Sequence, residues 1–405
     1  MAAMDGCAFS ALTDQLVGRM WPSERVVIGL RVSKWARQVL LAEADRVLLS
    51  FNGYRFQDQL DATRICADLS RHKEGARLSV KIFLGYGEMQ PMRLETFLAC
   101  IQKVMTGSFG PVLESLDFGD NDVYDEGATK LAEVLRYCPN LRRVNLRTSI
   151  LEEIGAEQLF RPSALGQCTA LTDLDLMNNA FGDVGATHLA NALKNCTSLE
   201  NLCLVNNEMR TEGAQSLAEA LRSMRSLTWL NLGKNGVDDK AATALAASLQ
   251  AHTNLRALSL DDNWIGDAGV RELAGVVARC PSLTILQLSS NRIAADGAEA
   301  LAQALRCASA LSILDLGSNA LEEAGVARVA PVLPELPRLA QLGLGWTEMG
   351  DAGAEPLVRV LGQCAALKSV FLLGNGLSGE MELRLNAALY EQGPFQAQSE
   401  HSAFF

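Results

Sequence analysis

The stretch Leu255-Arg-Ala-Leu258-Ser-Leu260-Asp-Asp-Asn263 decides the architecture of this 405-residue chain. Around Leu258 and Leu260, apolar and polar positions alternate with the period of two that a half-buried strand requires, so both leucines point to one face. At Asn263 the strand must turn, and an amide there can bond turn backbone of its own unit and of the next. Ile265 follows as a buried apolar position. Gly266-Asp267-Ala268-Gly269 then reads as a helix start with Asp267 as the N-cap.

The phrase recurs ten times. Its first leucines are Leu113, Leu141, Leu171, Leu199, Leu227, Leu255, Leu283, Leu311, Leu339 and Leu367, and eight of the nine intervals are 28 residues, the other 30. This is the signature of a leucine-rich-repeat solenoid. The asparagine column runs Asn121, Asn179, Asn207, Asn235, Asn263, Asn291, Asn319 and Asn375. Ser149 and Thr347 interrupt it, so those two turns should be less firmly tied. In Gly297 to Leu305 small residues recur at helical spacing, which lets neighbouring helices approach closely. One strand and one full helix per unit resembles the ribonuclease-inhibitor subfamily, the type found in NLR receptors and in the Ran GTPase-activating protein. The resemblance covers Leu113 to about Leu389. It implies an α/β solenoid bent into a horseshoe, with a parallel sheet on the concave face and helices on the convex face. Ten strands at ~4.8 Å would line about 45 Å of inner arc.

Such an array exposes a raw apolar end unless capped. The expected organisation is a helical N-terminal cap over 1–45, two divergent longer repeats over 46–112, ten repeats over 113–378, and a C-terminal capping helix with a tail over 379–405. Val47 to Phe51 and Ser79 to Leu84 are the strands of the divergent pair. Within the first segment, Leu12 to Leu16, Met20, Pro22 and Leu30 to Leu40 resemble an F-box, with Thr13 where that pattern has proline and a shorter middle. That resemblance implies a Skp-type adaptor of a cullin-based ubiquitin ligase as partner, gripped by Leu16, Met20, Pro22, Val32 and Trp35. The other reading is a plain cap, with Trp21 and Trp35 buried on the first strand.

Composition bounds the function. A net charge of −11 with no basic run argues against a general nucleic-acid binder. The first residues lack the charge and apolar core of a signal peptide, and no run approaches 18 apolar residues, so membrane insertion is not expected. Cys138, Cys168, Cys196, Cys280 and Cys364 share one repeat position with Met224, His252 and Leu336, which marks a packing site. Buried free thiols fit a reducing cytoplasm or nucleus, although Cys138, Cys168 and Cys196 lie in successive repeats where strong oxidants could cross-link them. Four scattered histidines make no metal cluster, no phosphate-binding loop is present, and Gly343-Leu-Gly345 belongs to a repeat, so neither cofactor nor catalytic centre is expected. Resemblance to the Ran activator puts forward Arg147 and Arg210 as the arginines nearest a catalytic position.

The register also maps the surface. The first column beside the core leucines reads Ser115, Arg143, Asp173, Asn201, Trp229, Ala257, Ile285, Ile313, Gln341, Ser369. Four consecutive members are apolar where polar residues belong. Met177, Val205, Phe371 and Leu373 adjoin them, and Trp264 and Trp346 lie on the rimming turns. An apolar stripe with tryptophans has the composition of a protein-binding hot spot. The expected partner site is therefore Trp229, Ile285, Ile313, Met177, Val205, Trp264, Trp346, Phe371 and Leu373, unless the tail ending Ala403-Phe404-Phe405 covers it. Toward the N-terminus, Asp117, Asp120, Asp173 and Asp175 around Arg143 and Arg147 make a charged surface suited to steering a polar or basic partner.

Overall fold

The computed structural model describes residues 46–52, 77–83 and 113–390. Among them, twelve parallel strands form one open sheet in strict chain order, from β1 (Arg46–Asn52) and β2 (Arg77–Phe83) through β3 (Leu113–Asp117) to β12 (Ser369–Phe371). From β3 onward the register is continuous, so Ser115, Arg143, Asp173, Asn201, Trp229, Ala257, Ile285, Ile313, Gln341 and Ser369 stand in one row across the sheet. The F-box-like residues Leu16, Met20, Pro22, Val32 and Trp35, the proposed N-terminal cap and the tail beyond 390 lie outside the described residues.

A helix follows each repeat strand, from α1 (Tyr124–Leu135) through α5 (Asp239–Leu249) and α6 (Asp267–Arg279) to α10 (Gly379–Tyr390), and each packs on the next. The core lies between the two layers. Leu255, Leu258 and Leu260 are fully buried, facing helix residues such as Leu245 and Leu249 of the preceding unit. At ~2 kcal/mol per buried leucine, the repeated triplet is the main stabilising term. The extra two residues of the long interval are absorbed where α2 (Glu153–Leu159) stops early and a 3-10 turn over Leu165–Gln167 follows. Pro331 and Pro334 likewise turn the end of α8 (Glu322–Val329) into a 3-10 segment over Ala330–Glu335.

Two local expectations need correction. The buried Asn263 amide donates to Leu260 O at 3.0 Å in its own turn and to Leu232 O at 3.1 Å in the preceding repeat, while its Oδ1 accepts from Val237 N at 3.0 Å. Its second partner is the repeat before, not the one after. That turn presents both a carbonyl and an N–H left over where its strand ends, and one amide satisfies both. Asn291 and Asn319 repeat the pattern. The Thr347 hydroxyl donates to Leu344 O in its own turn and to Asn375 Oδ1 in the next repeat, and the Ser149 hydroxyl to Arg147 O; neither hydroxyl bonds to the repeat before.

Asp267 is not an N-cap. Gly266 holds that position, and Asp267 Oδ1 instead accepts from Ala294 N at 2.7 Å, one repeat later. Asp239 Oδ1 does the same for Gly266 N (2.7 Å) and Gly269 N (2.9 Å), and Asp183 Oδ1 for Arg210 N (2.8 Å) and Gly213 N (2.7 Å). The unpaired N–H groups at each helix start face the preceding helix start in the parallel stack, so the carboxylate caps its neighbour.

The cysteine column is buried and free at Cys138, Cys168, Cys196, Cys280 and Cys364. Cys196 Sγ donates to Cys168 O (3.6 Å) and Cys280 Sγ to His252 O (3.4 Å), binding repeat to repeat. Burial pushes the Cys138 thiol up to about 12 and those of Cys196, Cys280 and Cys364 to about 11, with Cys168 raised further. A protonated thiol is a poor nucleophile, which works against the cross-link that the column spacing allows.

Candidate functional site

The sheet face turned away from the helices is a broad surface on which strand residues of successive repeats stand in register. Its N-terminal part is a hydrogen-bonded charge network. Asp173 receives Arg143 Nε at 3.2 Å, Thr172 Oγ1 at 2.7 Å and Asn201 Nδ2 at 2.6 Å. Asp117 accepts from Asn145 Nδ2 at 2.9 Å, and Arg147 Nε lies 3.4 Å from Asp120. Adjacent strands hold these groups ~5 Å apart, so each carboxylate loses water to its neighbours. Burial raises the Asp175 carboxyl, against the opposing pull of the Met177 N–H and of Arg147.

A second acidic group lies toward the C-terminus. Ser259 Oγ donates to Asp261 Oδ1, and Asp315 Oδ1 accepts from Gly317 N at 3.0 Å. Burial raises both carboxyls above the ordinary carboxylate range. A carboxyl whose folded pKa is raised binds its proton more tightly in the native state. Its stabilising contribution is complete below the unfolded pKa of about 4 and is lost as pH rises through the folded value. Asp315→Asn should therefore raise the melting temperature at pH 7, with the advantage shrinking to nothing as pH falls to about 4. A pH series of thermal melts checks this, and an advantage independent of pH would contradict it.

The apolar row follows the first acidic group along the sheet and runs beside the second, with Ile313 and Asp315 on one strand. Trp229 and Ile285 are half-buried, whereas Ala257 and Ile313 are only 4 % and 7 % exposed. Ala257 stands in register between Trp229 and Ile285, and its larger neighbours cover its short side chain. Val205 is buried as well, while Met177 and Phe371 are half-buried and Leu373 is exposed. Of the residues in the expected partner site, those most open to solvent lie on the turns, with Trp264 46 % and Trp346 61 % exposed. The stripe is thus narrower at its centre than the sequence map implies and stronger at its rim.

Trp346 adopts φ +56°, a left-handed conformation that a bulky residue rarely takes. Asn206, Lys234, Asp262, Ser290 and Ser318 at the same repeat position share it, so the conformation belongs to the turn and only the residue type is unusual. The indole lies against Gly374, where any Cβ would run into the ring.

Trp264 stands two turn positions further on in its own repeat, and two arginines flank it. The guanidinium carbon of Arg210 is 5.9 Å from the ring centroid and that of Arg292 is 5.5 Å away. Arg292 occupies Trp264's own repeat position 28 residues later, a relation readable in the sequence but missed because only strand rows were compared. Of the two arginines implied by the Ran-activator resemblance, Arg147 is held at Asp120 and Arg210 in this stack, in different repeats. Among the described residues, no group of three or more His, Cys, Asp or Glu side chains could hold a metal ion, and no helix is long and apolar enough to cross a membrane.

Comparison with known proteins agrees with this geometry. A family model for the leucine-rich repeats of an FBD-associated F-box protein matches residues 188–307, and a general leucine-rich-repeat model matches 111–132 and 167–190. Both matches fall on the repeats. No curated protein matches the chain in sequence. Among solved structures, an internalin from Listeria monocytogenes is similar at 19 % identity and a TM-score of 0.53, over 95 % of this chain and 93 % of that one. A TDR receptor is similar at 18 % identity and a TM-score of 0.41, over 77 % of this chain and 53 % of that one. The internalin likeness concerns the fold, a solenoid of strands alternating with connecting segments in an open parallel sheet. With its recurrent 28-residue period, buried leucine triplets and asparagine ladder, the chain is a leucine-rich-repeat protein.

Proposed function

We propose that the chain is a non-enzymatic scaffold that holds a protein partner against the open face of its sheet, alone or as a subunit of a larger assembly. The observation carrying this reading is the half-buried pair Trp229 and Ile285 at mid-face, flanked on the N-terminal side by one acidic group, bordered along the adjacent strands by the other, and rimmed by the exposed Trp264 and Trp346. Tryptophan-centred apolar surface ringed by polar groups has the energetic layout of a protein interface, in which a few anchors supply most of the affinity. Phe371 and Leu373 continue that surface toward the C-terminal end, and Met177 toward the N-terminal end. The test is capture from native lysate by the full chain and by Trp229→Asp/Ile285→Asp. Capture should fall at least tenfold with the melting temperature of the chain preserved; undiminished capture by the folded variant refutes the reading.

A second reading adds an adaptor interface. The F-box-like residues Leu16, Met20, Pro22, Val32 and Trp35, together with the match of 188–307 to the repeats of an F-box protein, favour a substrate receptor of a cullin-based ubiquitin ligase. Removal of residues 1–45 should then abolish recovery of a Skp-type adaptor while leaving face-bound partners in place. Identical recoveries by both forms would reduce the segment to a cap.

A further inference from the structure

The Arg210–Trp264–Arg292 stack on the turn rim is a site the face reading does not use. It is built on rigid backbone. Gly236 N donates to Met209 O at 2.8 Å, Trp264 N to Val237 O at 2.9 Å and Arg292 N to Ile265 O at 2.8 Å, a secondary ladder running along the turns. Gly236, buried beneath the stack, has Arg210 Cγ 3.1 Å and the Trp264 ring 3.5 Å from where a Cβ would be, so its missing side chain lets the two meet. Both arginines are exposed, and neither has a carboxylate partner among the described residues. Several acidic residues of the neighbouring helix starts are already engaged. Asp238 accepts from Ala241 N and Thr211 Oγ1, Asp239 from Gly266 N and Gly269 N, and Asp267 from Ala294 N. Lys234 adds an exposed cation on the same edge, and Glu208, Glu212, Asp262 and Asp296 are exposed carboxylates near it in the chain.

Two exposed guanidinium groups held beside one indole carry fork-shaped sets of N–H donors that suit two-pronged contact with carboxylates. The indole edge between them offers apolar contact. We infer that this rim patch recognises an acidic peptide segment of the protein partner, with carboxylates at Arg210 and Arg292 and an apolar side chain against Trp264. Charge decides between an acidic peptide and a nucleic acid. A chain of net charge −11 repels a polyphosphate everywhere beyond this patch, whereas a short acidic segment needs only its three cations. The inference rests on the proposal that the repeats bind a protein, and it names the chemistry of one part of that partner.

The test uses the full chain and a fluorescein-labelled octaglutamate peptide, followed by anisotropy at low and moderate salt. Arg210→Gln/Arg292→Gln should weaken binding at least tenfold, Trp264→Leu severalfold, and Trp229→Asp/Ile285→Asp not at all, with melting temperatures unchanged for the exposed arginine variants. Equal binding by the double arginine variant would overturn the inference. So would tighter binding of a single-stranded oligonucleotide of matched charge. Loss of lysate capture only in the Trp229→Asp/Ile285→Asp variant, with octaglutamate bound as before, would separate the face reading from the rim reading.

Discussion

Asn263→Ala should destabilise the protein by about 4 kcal/mol in urea unfolding, a large effect for a single polar side chain. The two N–H groups of the amide are shared among Leu232 O, Leu260 O and Asp261 O, and its Oδ1 accepts from Val237 N. Each bond is worth about 1 kcal/mol net, and a buried N–H left without a partner costs about 1–3 kcal/mol more. Val237 N is such a group, whereas Leu232 O keeps the amide of Asn235. The break falls between two repeats of a nearly one-dimensional array, so unfolding should also split into two transitions at that seam. Thr347→Ala, which removes no tie to the preceding repeat, should cost about 1 kcal/mol. A loss below about 1 kcal/mol at Asn263 would mean that the ladder is not what joins the turns.

Gly269→Ala should cost about 2–3 kcal/mol, although alanine is ordinarily the better helix former. A Cβ there would lie 2.7 Å from Asp239 Oδ1, 2.8 Å from Ile265 Cγ2 and 2.9 Å from Ala242 Cβ, so either the cap or the helix packing must give way. The chain carries its own control. In the repeat where Thr211 replaces the capping aspartate, the next glycine is Ala241, and that helix is capped by its own Asp238. In an Asp239→Thr background, the added cost of Gly269→Ala should therefore fall below about 1 kcal/mol. Additive costs in this double-mutant cycle would show that the carboxylate does not set the demand for glycine.

The Thr211 and Ala241 pair shows what a repeat sequence can and cannot disclose. Spacing alone reveals which columns are neighbours, because a 28-residue period stacks Leu258 on Leu230 and Leu286 whatever else occurs. It does not reveal direction. Asn263 has an equivalent turn on either side, and only the placement of leftover N–H and carbonyl groups selects the preceding one. The same ambiguity hid the role of Asp267, whose position before a helix reads as an N-cap although its carboxylate serves the next repeat. Relative exposure was hidden for another reason. Whether Ala257 is open depends on the size of Trp229 and Ile285 beside it, a property of pairs across strands that a single row of letters does not weight. Legible from the outset were the sheet, the helices and the apolar composition of the face. The arginines around Trp264 became visible only once the turns were read as columns too.

The central claim is that the partner lies on the sheet face and its rim. Hydroxyl-radical footprinting of the captured complex tests it most directly, because reactive side chains mark both sides of the molecule. Trp229, Trp264 and Trp346 report on the face and its turns, while Tyr137 and Leu383, both exposed, report on the helix side. The account predicts that oxidation of the three tryptophans falls severalfold on complex formation while Tyr137 and Leu383 react as in the free chain. Protection of Tyr137 and Leu383 with the tryptophans unchanged would place the partner on the helices and contradict it.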